Sequence, residues 1–421
     1  MSRSSATSSS RPPPPSGSRP ARCSPATRAD RLDSVEAHRD RILGLTAPLP
    51  AVTVPVADAV GLVTAADVVA AVDLPAFDHA AMDGYAVRAA DVATEPVVLP
   101  VAGVVAAGDA EQPALDAGTA RRIMTGAPAP AGADVVVPFE WTDRGVEQVR
   151  IDRRVASAQN IRRAGEDLVA GAVAVPAGTR LAPQHLALLV AVGVESAAVH
   201  PAPRVAVLAT GEELTSGQVP DSNTVAIAAA AAPLGSVVRS FGPVPDDPAR
   251  LVARLAEAAE SADLVVTTGG VSAGDHDVVK AALRDRDAFW FGSVAVKPGR
   301  PQGCGVVTAS GGRRVPVVCL PGTPVAAYSS FRLFVEPALR SLGGVARRAS
   351  ARAALDAPVA VSSDRTVLLP ARYVGPGRVA QLPGHVGHSQ RLLASADVLL
   401  VVPPGAAALP AGSEVEILPL G

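Results

Sequence analysis

Three segments punctuated by glycine and proline carry the residues best suited to chemistry: TTGGVSAGDHD (267–277), KPGRP (297–301) and LPGTP (320–324). Each follows an apolar run of β character: DLVVT, FGSVAV and VPVVC. Loops that follow the strands of an open α/β sheet line its ligand crevice. Glycines such as Gly269 and Gly270 let backbone approach a ligand closely, and free N–H groups at a helix start favour an anion. The same loops add the Ser272 hydroxyl, the cations Lys297 and Arg300, and the carboxylates Asp275 and Asp277. This is equipment for a phosphorylated ligand with a divalent metal. Asp275 and Asp277 are either helix caps or, one of them, an oxygen ligand for Mg²⁺, which takes one or two carboxylates in phosphate sites. His276 between them reads as a polar surface residue. In ATGEEL (209–214), Glu212 and Glu213 either complement a helix dipole or serve a metal or base role.

Lysine usage sharpens one of these positions. Of 38 basic residues only Lys280 and Lys297 are lysine. A lysine kept inside a Pro-Gly loop suits a compact point charge where the planar fork of arginine would not fit. Lys280, beside Val278 and Val279, reads as a solvated helix position.

The elements that must position these loops alternate. RVAVLAT reads as a strand, SNTVAIAAAAAPLG as a helix, and DDPARLVARLAEAAESAD as a helix with Asp caps, an early proline and a stripe of Leu251, Val252 and Leu255. DLVVTT, VPVVCL and the helical runs HDVVKAALRD and PVAAYSSFRLFVEPALRSL complete a mostly parallel sheet with helices on both faces, over 203–345. A helix follows the Ser34 cap. An all-β insertion spans 80–160, and the flanking segments 30–79 and 161–202 form one elongated mixed domain. Short strands with Pro-Gly turns over 346–421 make a C-terminal β-domain. Residues 1–29, rich in Ser, Pro and Arg, cannot bury enough surface to fold and read as a disordered tail. The fold class expected is therefore multidomain α/β: a central three-layer domain with an inserted β-rich domain, an elongated mixed domain and a C-terminal β-domain.

Composition excludes several classes. With 421 residues, 48% hydrophobic, 19% charged and a net charge of −2, the chain has ample core and no basic excess for nucleic acid. No apolar run reaches the roughly 20 residues that span a bilayer. Three cysteines without a CxxC fit a reducing, cytoplasmic setting, and no apolar stretch near the N-terminus suggests export. Cys304 and Cys319 read as core residues. GxxxxGK[ST], GxGxxG and HExxH are absent, which excludes a P-loop and disfavours a dinucleotide fold and a zinc site.

Taken in order, AMDGYAV, RIMTGAP, GADVVV, RRAGEDL, TGEEL, DSN, GGVSAGD, KPGRP and LPG make the chain resemble the molybdopterin molybdotransferase family, to which the C-terminal domain of gephyrin belongs. The likeness runs from about Asp30 to Gly421. It implies that molybdate and adenylyl-molybdopterin are converted to molybdenum cofactor and AMP with Mg²⁺ assisting, a molybdate oxygen attacking the AMP phosphorus. It also implies a four-part subunit and a homodimer with its site at the subunit interface. Transient partners would be the molybdopterin adenylyltransferase and molybdoenzyme apoproteins. The residues it singles out for catalysis are Asp83, Thr125, Asp167, Glu213, Lys297 and Arg300, with Glu213 and Asp275 or Asp277 for Mg²⁺. Pterin binding falls to Gly269, Gly270 and Ser272 and to Pro321, Gly322, Thr323 and Pro324. The chain departs from the family pattern at Thr323, where Asn is usual, at His79 and Ala80, at Glu212, and around Ser389. Two other readings fit the sheet motifs: an adenylyltransferase acting one step earlier, and a catalytically weak binding or scaffold protein. The likeness along the whole chain favours the molybdotransferase.

Overall fold

The computed structural model describes Met1 and residues 32–420, apart from 109–113, 154–155, 157–158, 273–276, 287, 346–349, 361–362, 385–386 and 406–407. The expected N-terminal tail and Asp275 lie outside the described residues. At the centre is a six-stranded sheet in the order Val237–Ser240, Arg204–Ala209, Leu264–Thr268, Arg314–Leu320, Pro301–Thr308, Phe289–Ser293. The first four strands are mutually parallel, and Pro301–Thr308 runs antiparallel to both of its neighbours.

The strands bury both faces, and their period of two divides the core. Val205, Val207, Val266 and Val318 pack with Ile227, Phe331, Phe334 and Leu339 on one side. Ala206, Leu208, Val265 and Val317 pack with Leu251, Leu255 and Leu283 on the other. The helix Pro248–Ser261 shows the local logic: Asp247 accepts from the N–H groups of Ala249 and Arg250, Pro248 opens the first turn, and Leu251, Leu255 and Ala258 recur on the buried face. At the lower end of the sheet Asp263, 8% exposed, takes two bonds from the Arg204 guanidinium and one from its backbone N–H, which pins adjacent strands in register.

Segments distant in sequence pair on the N-terminal side. Val52–Pro55 and Val63–Thr64 flank Ser196–His200, Val68–Val69 pairs with Val173–Val175, and His79–Ala80 with Ile161–Arg162. Between these halves lies a five-stranded sheet in the order Val135–Pro138, Gly84–Val87, Ala120–Ile123, Val97–Val105, Gln148–Ile151. At the C-terminal end Thr366–Gly375, Arg378–Gln381, Ala351–Leu355, Glu414–Pro419 and Val398–Val402 pair in a ring, because the first strand also pairs with the last. The result is a small closed barrel with its own core. Val296–Lys297 adds to its edge beside Thr366 and Val367.

Gly84 sits in a central strand of the inserted sheet, where a Cβ would lie 2.0 Å from the carbonyl oxygen of Val137. The glycine of AMDGYAV is therefore a demand of strand spacing. Gly84→Ala is expected to force the strands apart and destabilise the protein by about 1–3 kcal/mol, seen as a lower Tm in thermal unfolding.

Candidate functional site

The carboxyl ends of three adjacent parallel strands open into one cavity of about 570 Å³, within the usual range for a small-molecule site. After Leu264–Thr268 the chain turns through Gly269 and Gly270, and after Arg314–Leu320 through Pro321 and Gly322. Gly269 has φ +92°, and a Cβ there would meet the Thr210 carbonyl oxygen at 2.7 Å. A Cβ on Gly322 would lie 3.2 Å from the Gly269 Cα. The two loops thus touch backbone to backbone, and the Gly269 N–H donates to the Leu320 carbonyl at 3.1 Å. Asn223 Nδ2 donates to the Gly322 carbonyl at 2.8 Å, tying the third loop to the helix Ser222–Ala231, which Asp221 caps.

Carboxylates dominate the charge on this wall. Glu213, Asp246 and Asp277 all line the cavity. Asp277 accepts the Ser272 hydroxyl at 3.0 Å. The Asp246 carboxyl is pushed above its ordinary value, by burial first and then by the negative charges of Glu213, Glu212 and Asp277, against the Glu212 N–H that favours its ionised form. Among the described residues no group of three His, Cys, Asp or Glu side chains is gathered tightly enough to cage a metal. A hydrated Mg²⁺ needs only one or two carboxylates and keeps several waters, so these oxygen donors fit that ion.

The KPGRP loop reaches the wall through Gly299 and Pro301. Lys297 and Arg300 are exposed on the same loop and are not among the wall residues. Gln302, fully buried, donates from Nε2 to the Gly299 carbonyl and to Ser330 Oγ, both at 2.7 Å. This buried amide sets the path of the loop that carries both cations.

Of the residues expected from the sequence, Glu213, Gly269, Gly270, Ser272, Asp277, Pro321, Gly322, Thr323 and Pro324 line the cavity together. Asp83, Thr125 and Asp167 do not line it. Asp83 Oδ1 accepts the Thr125 hydroxyl at 2.7 Å and the Thr125 N–H at 2.8 Å. These bonds hold the Asp83 carboxyl below its ordinary value, with Arg122 adding a smaller pull. Asp167 is exposed on the segment that pairs with this region: its N–H donates to Leu74, and Arg163 nearby bonds Asp78. The helix expected near Asp275 starts at Val278, with Asp277 at its cap position but bonded to Ser272 instead of to the helix backbone. Sequence reading did not single out Asp246 or Gln302, and Asn223 entered only as the last residue of the DSN motif. Asp246 and Asp247 both look like caps in sequence; Asp247 is the cap, which leaves Asp246 to the cavity.

The chain matches three family models: the MoeA N-terminal region (domain I and II) over residues 33–193, a probable molybdopterin binding domain over 206–341, and the MoeA C-terminal region (domain IV) over 352–420. It is 39% identical over 409 residues to molybdopterin molybdenumtransferase 2 of Mycobacterium tuberculosis, covering 92% of this chain and 99% of that protein. Molybdopterin molybdenumtransferase of Haemophilus influenzae is 35% identical over 296 residues, covering 68% of this chain and 72% of that protein. The crystal structure of a molybdopterin biosynthesis moeA protein from Pyrococcus horikoshii OT3 superposes with a TM-score of 0.77 at 27% identity, covering 92% of this chain and 99% of that one.

Two measurements probe this geometry. Gln302→Leu leaves both the Gly299 carbonyl and the Ser330 hydroxyl oxygen without their donor, and is expected to cost about 1–3 kcal/mol in denaturant unfolding. For Asp83 the depressed folded value means that its stabilisation is complete above the unfolded value of 3.8 and is lost as pH falls through the lower folded one. Thr125→Val is expected to raise the Asp83 carboxyl toward 3.8, read by carboxyl NMR during an acid titration.

Proposed function

The chain belongs to the MoeA family of molybdopterin molybdenumtransferases, and we propose that its sheet-end cavity holds adenylyl-molybdopterin while molybdenum is inserted. The protein is a transferase of molybdenum cofactor biosynthesis that inserts molybdenum into molybdopterin. The observation that carries the placement is the convergence of the two glycine loops, the KPGRP backbone and the carboxylates of Glu213, Asp221, Asp246 and Asp277 at the carboxyl ends of parallel strands.

The overall reaction takes adenylyl-molybdopterin and molybdate to molybdenum cofactor and AMP. A pyrophosphate and a molybdate dianion both enter an acidic wall, which repels them unless cations intervene. Lys297 and Arg300 supply two of those charges from the rim loop, and the turn that follows Gly269 offers backbone donors to the pterin or its phosphate. Glu213, Asp246 and Asp277 would hold Mg²⁺, which when bound neutralises phosphate oxygens as negative charge builds on them. The Pro-rich loop fixes its cations before substrate arrives, so little reorganisation opposes the reaction.

Asp83, Thr125 and Asp167 belong to the same reaction if a homodimer brings them to the cavity of a partner protomer. Their absence from the cavity of their own chain supports that arrangement. The adenylyltransferase that makes the substrate and the apoproteins that take the product are the transient partners. The buried thiols Cys304 and Cys319, which burial pushes up to about 11 and about 12, support a reducing cytoplasmic setting.

Purified protein with adenylyl-molybdopterin is expected to release AMP only when molybdate and Mg²⁺ are present, and EDTA is expected to stop release until Mg²⁺ is restored. Lys297→Ala and Asp277→Ala should each slow release by about 100-fold, followed by chromatography of AMP. Full activity in both variants would remove the sheet-end cavity from the reaction.

A further inference from the structure

After residue 31 the chain enters the fold at the cavity end of the central sheet. The Asp33 N–H donates to the Ser293 carbonyl at 2.9 Å, and the Asp33 carbonyl accepts from the Ala295 N–H at 2.7 Å. Arg41 holds the Asp33 carboxylate at 2.7 Å. Between those two backbone bonds lies Val294, whose N–H donates to the Arg300 carbonyl of the KPGRP loop at 2.8 Å. Ser293 pairs with Pro301, which lines the sheet-end cavity. Asp33 therefore stands two strand spacings, roughly 10 Å, from the cavity wall.

Charge sets the segment before Asp33 against that wall. Residues 2–31 hold six arginines and one aspartate, five positive charges in excess. Glu213, Asp221, Asp246 and Asp277 line the cavity, and none of the described residues lining it is cationic. Lys297 and Arg300 on the rim offset two of those four carboxylates, which leaves two negative charges in excess. Thr268, 1% exposed, also lines the cavity, and its hydroxyl has no partner. A guanidinium carries five donors and no acceptor, so carboxylates and an unpartnered hydroxyl oxygen suit it. Reach is not limiting. Arg22, Arg28 and Arg31 precede Asp33 by eleven, five and two residues, and an extended chain covers about 3.3–3.6 Å per residue.

We propose that the N-terminal segment lies across the acidic cavity of its own chain, with Arg22, Arg28 and Arg31 against the carboxylates, and holds substrate out. This competition rests on the proposed function of that cavity. Only the open fraction of the protein binds substrate, so a segment seated about nine-tenths of the time raises the apparent KM about tenfold and leaves kcat alone. The contact is electrostatic and partly exposed, so salt weakens it.

Cys23 makes the contact measurable in the full chain, because Cys304 and Cys319 are buried. Benzophenone attached to Cys23 and irradiated is expected to join the stretches 210–223 and 268–277 of the same chain, identified by mass spectrometry. Salt at about 0.5 M, or replacement of Arg22, Arg28 and Arg31 by Gln, should reduce that product at least fivefold. In the same variant the KM for adenylyl-molybdopterin is expected to fall about tenfold with kcat unchanged. Joining spread evenly over the surface, or joining to a partner protomer that doubles the mass in a denaturing gel, overturns the contact. A KM that stays the same or rises overturns the competition. Absence of AMP release from every form, with salt-sensitive joining intact, counts against the transferase reading of the cavity and for the contact.

Discussion

The contact of Gly269 with Gly322 is the constraint on which the cavity depends. Two loops from neighbouring parallel strands can approach backbone to backbone only where neither carries a Cβ, and here a Cβ on Gly322 would lie 3.2 Å from the Gly269 Cα. Everything placed on the floor follows from that approach. The Gly269 N–H is consumed by Leu320, Asn223 secures the Gly322 carbonyl, and Ser272 is carried to Asp277 five residues later. A side chain at either glycine would wedge the loops apart and open the crevice before any catalytic group was touched.

The electrostatics of the site run against its ligand, and that opposition is informative. Four carboxylates, Glu213, Asp221, Asp246 and Asp277, line a cavity proposed for phosphate and molybdate, and the Asp246 carboxyl is raised first by burial and then by its negative neighbours. Such a wall is unfavourable toward an anion unless cations stand between the two. The chain contributes two on the KPGRP loop, exposed beside the cavity and not inside it. On the proposed function, the remaining imbalance is what a divalent ion of oxygen preference would remove.

The fold class was legible because its signals are local. Apolar strand runs ending in Gly or Pro, Asp before helix starts, and an inserted stretch of short strands each need only a few residues to be read. The cavity-lining loops were legible for the same reason: Gly269, Gly322 and Pro321 stand at strand ends in sequence as they do in space. Asp246 and Gln302 were not, nor was the bond of Asn223 in the DSN motif to Gly322, because these roles are set by tertiary contacts. Asp246 looks like its neighbour Asp247, and only the folded chain shows which of them caps the helix. Gln302 lies in the apolar strand Pro301–Thr308, where an amide announces nothing until its partners Gly299 and Ser330, 28 residues away, are in place. The bond from Ser272 to the Asp277 carboxylate is likewise a tertiary fact: Asp277 stands at the cap position of the helix Val278–Leu283, yet its carboxylate is given to the loop.

Three separate parts of the molecule hold the cationic loop, and this ties the site to the remote barrel. Val296 and Lys297 extend the barrel edge beside Thr366 and Val367, the Arg300 carbonyl accepts from the Val294 N–H, and Gln302 fixes Gly299 from the helix side. The loop therefore bridges the barrel strand Thr366–Gly375 and the sheet strand Pro301–Thr308, and Val296 and Cys304 at its two ends share one core with the barrel residues Leu368 and Leu399. Lys297 stands on the barrel side of that bridge and Gly299 on the cavity side, two residues apart. A shift of the barrel against the sheet moves the ammonium group relative to the cavity wall, whereas the Gly299 backbone stays with Gln302 and Ser330. Charge placement in this site is thus a property of how the C-terminal barrel packs, even though the barrel supplies no residue to the cavity wall among the described residues.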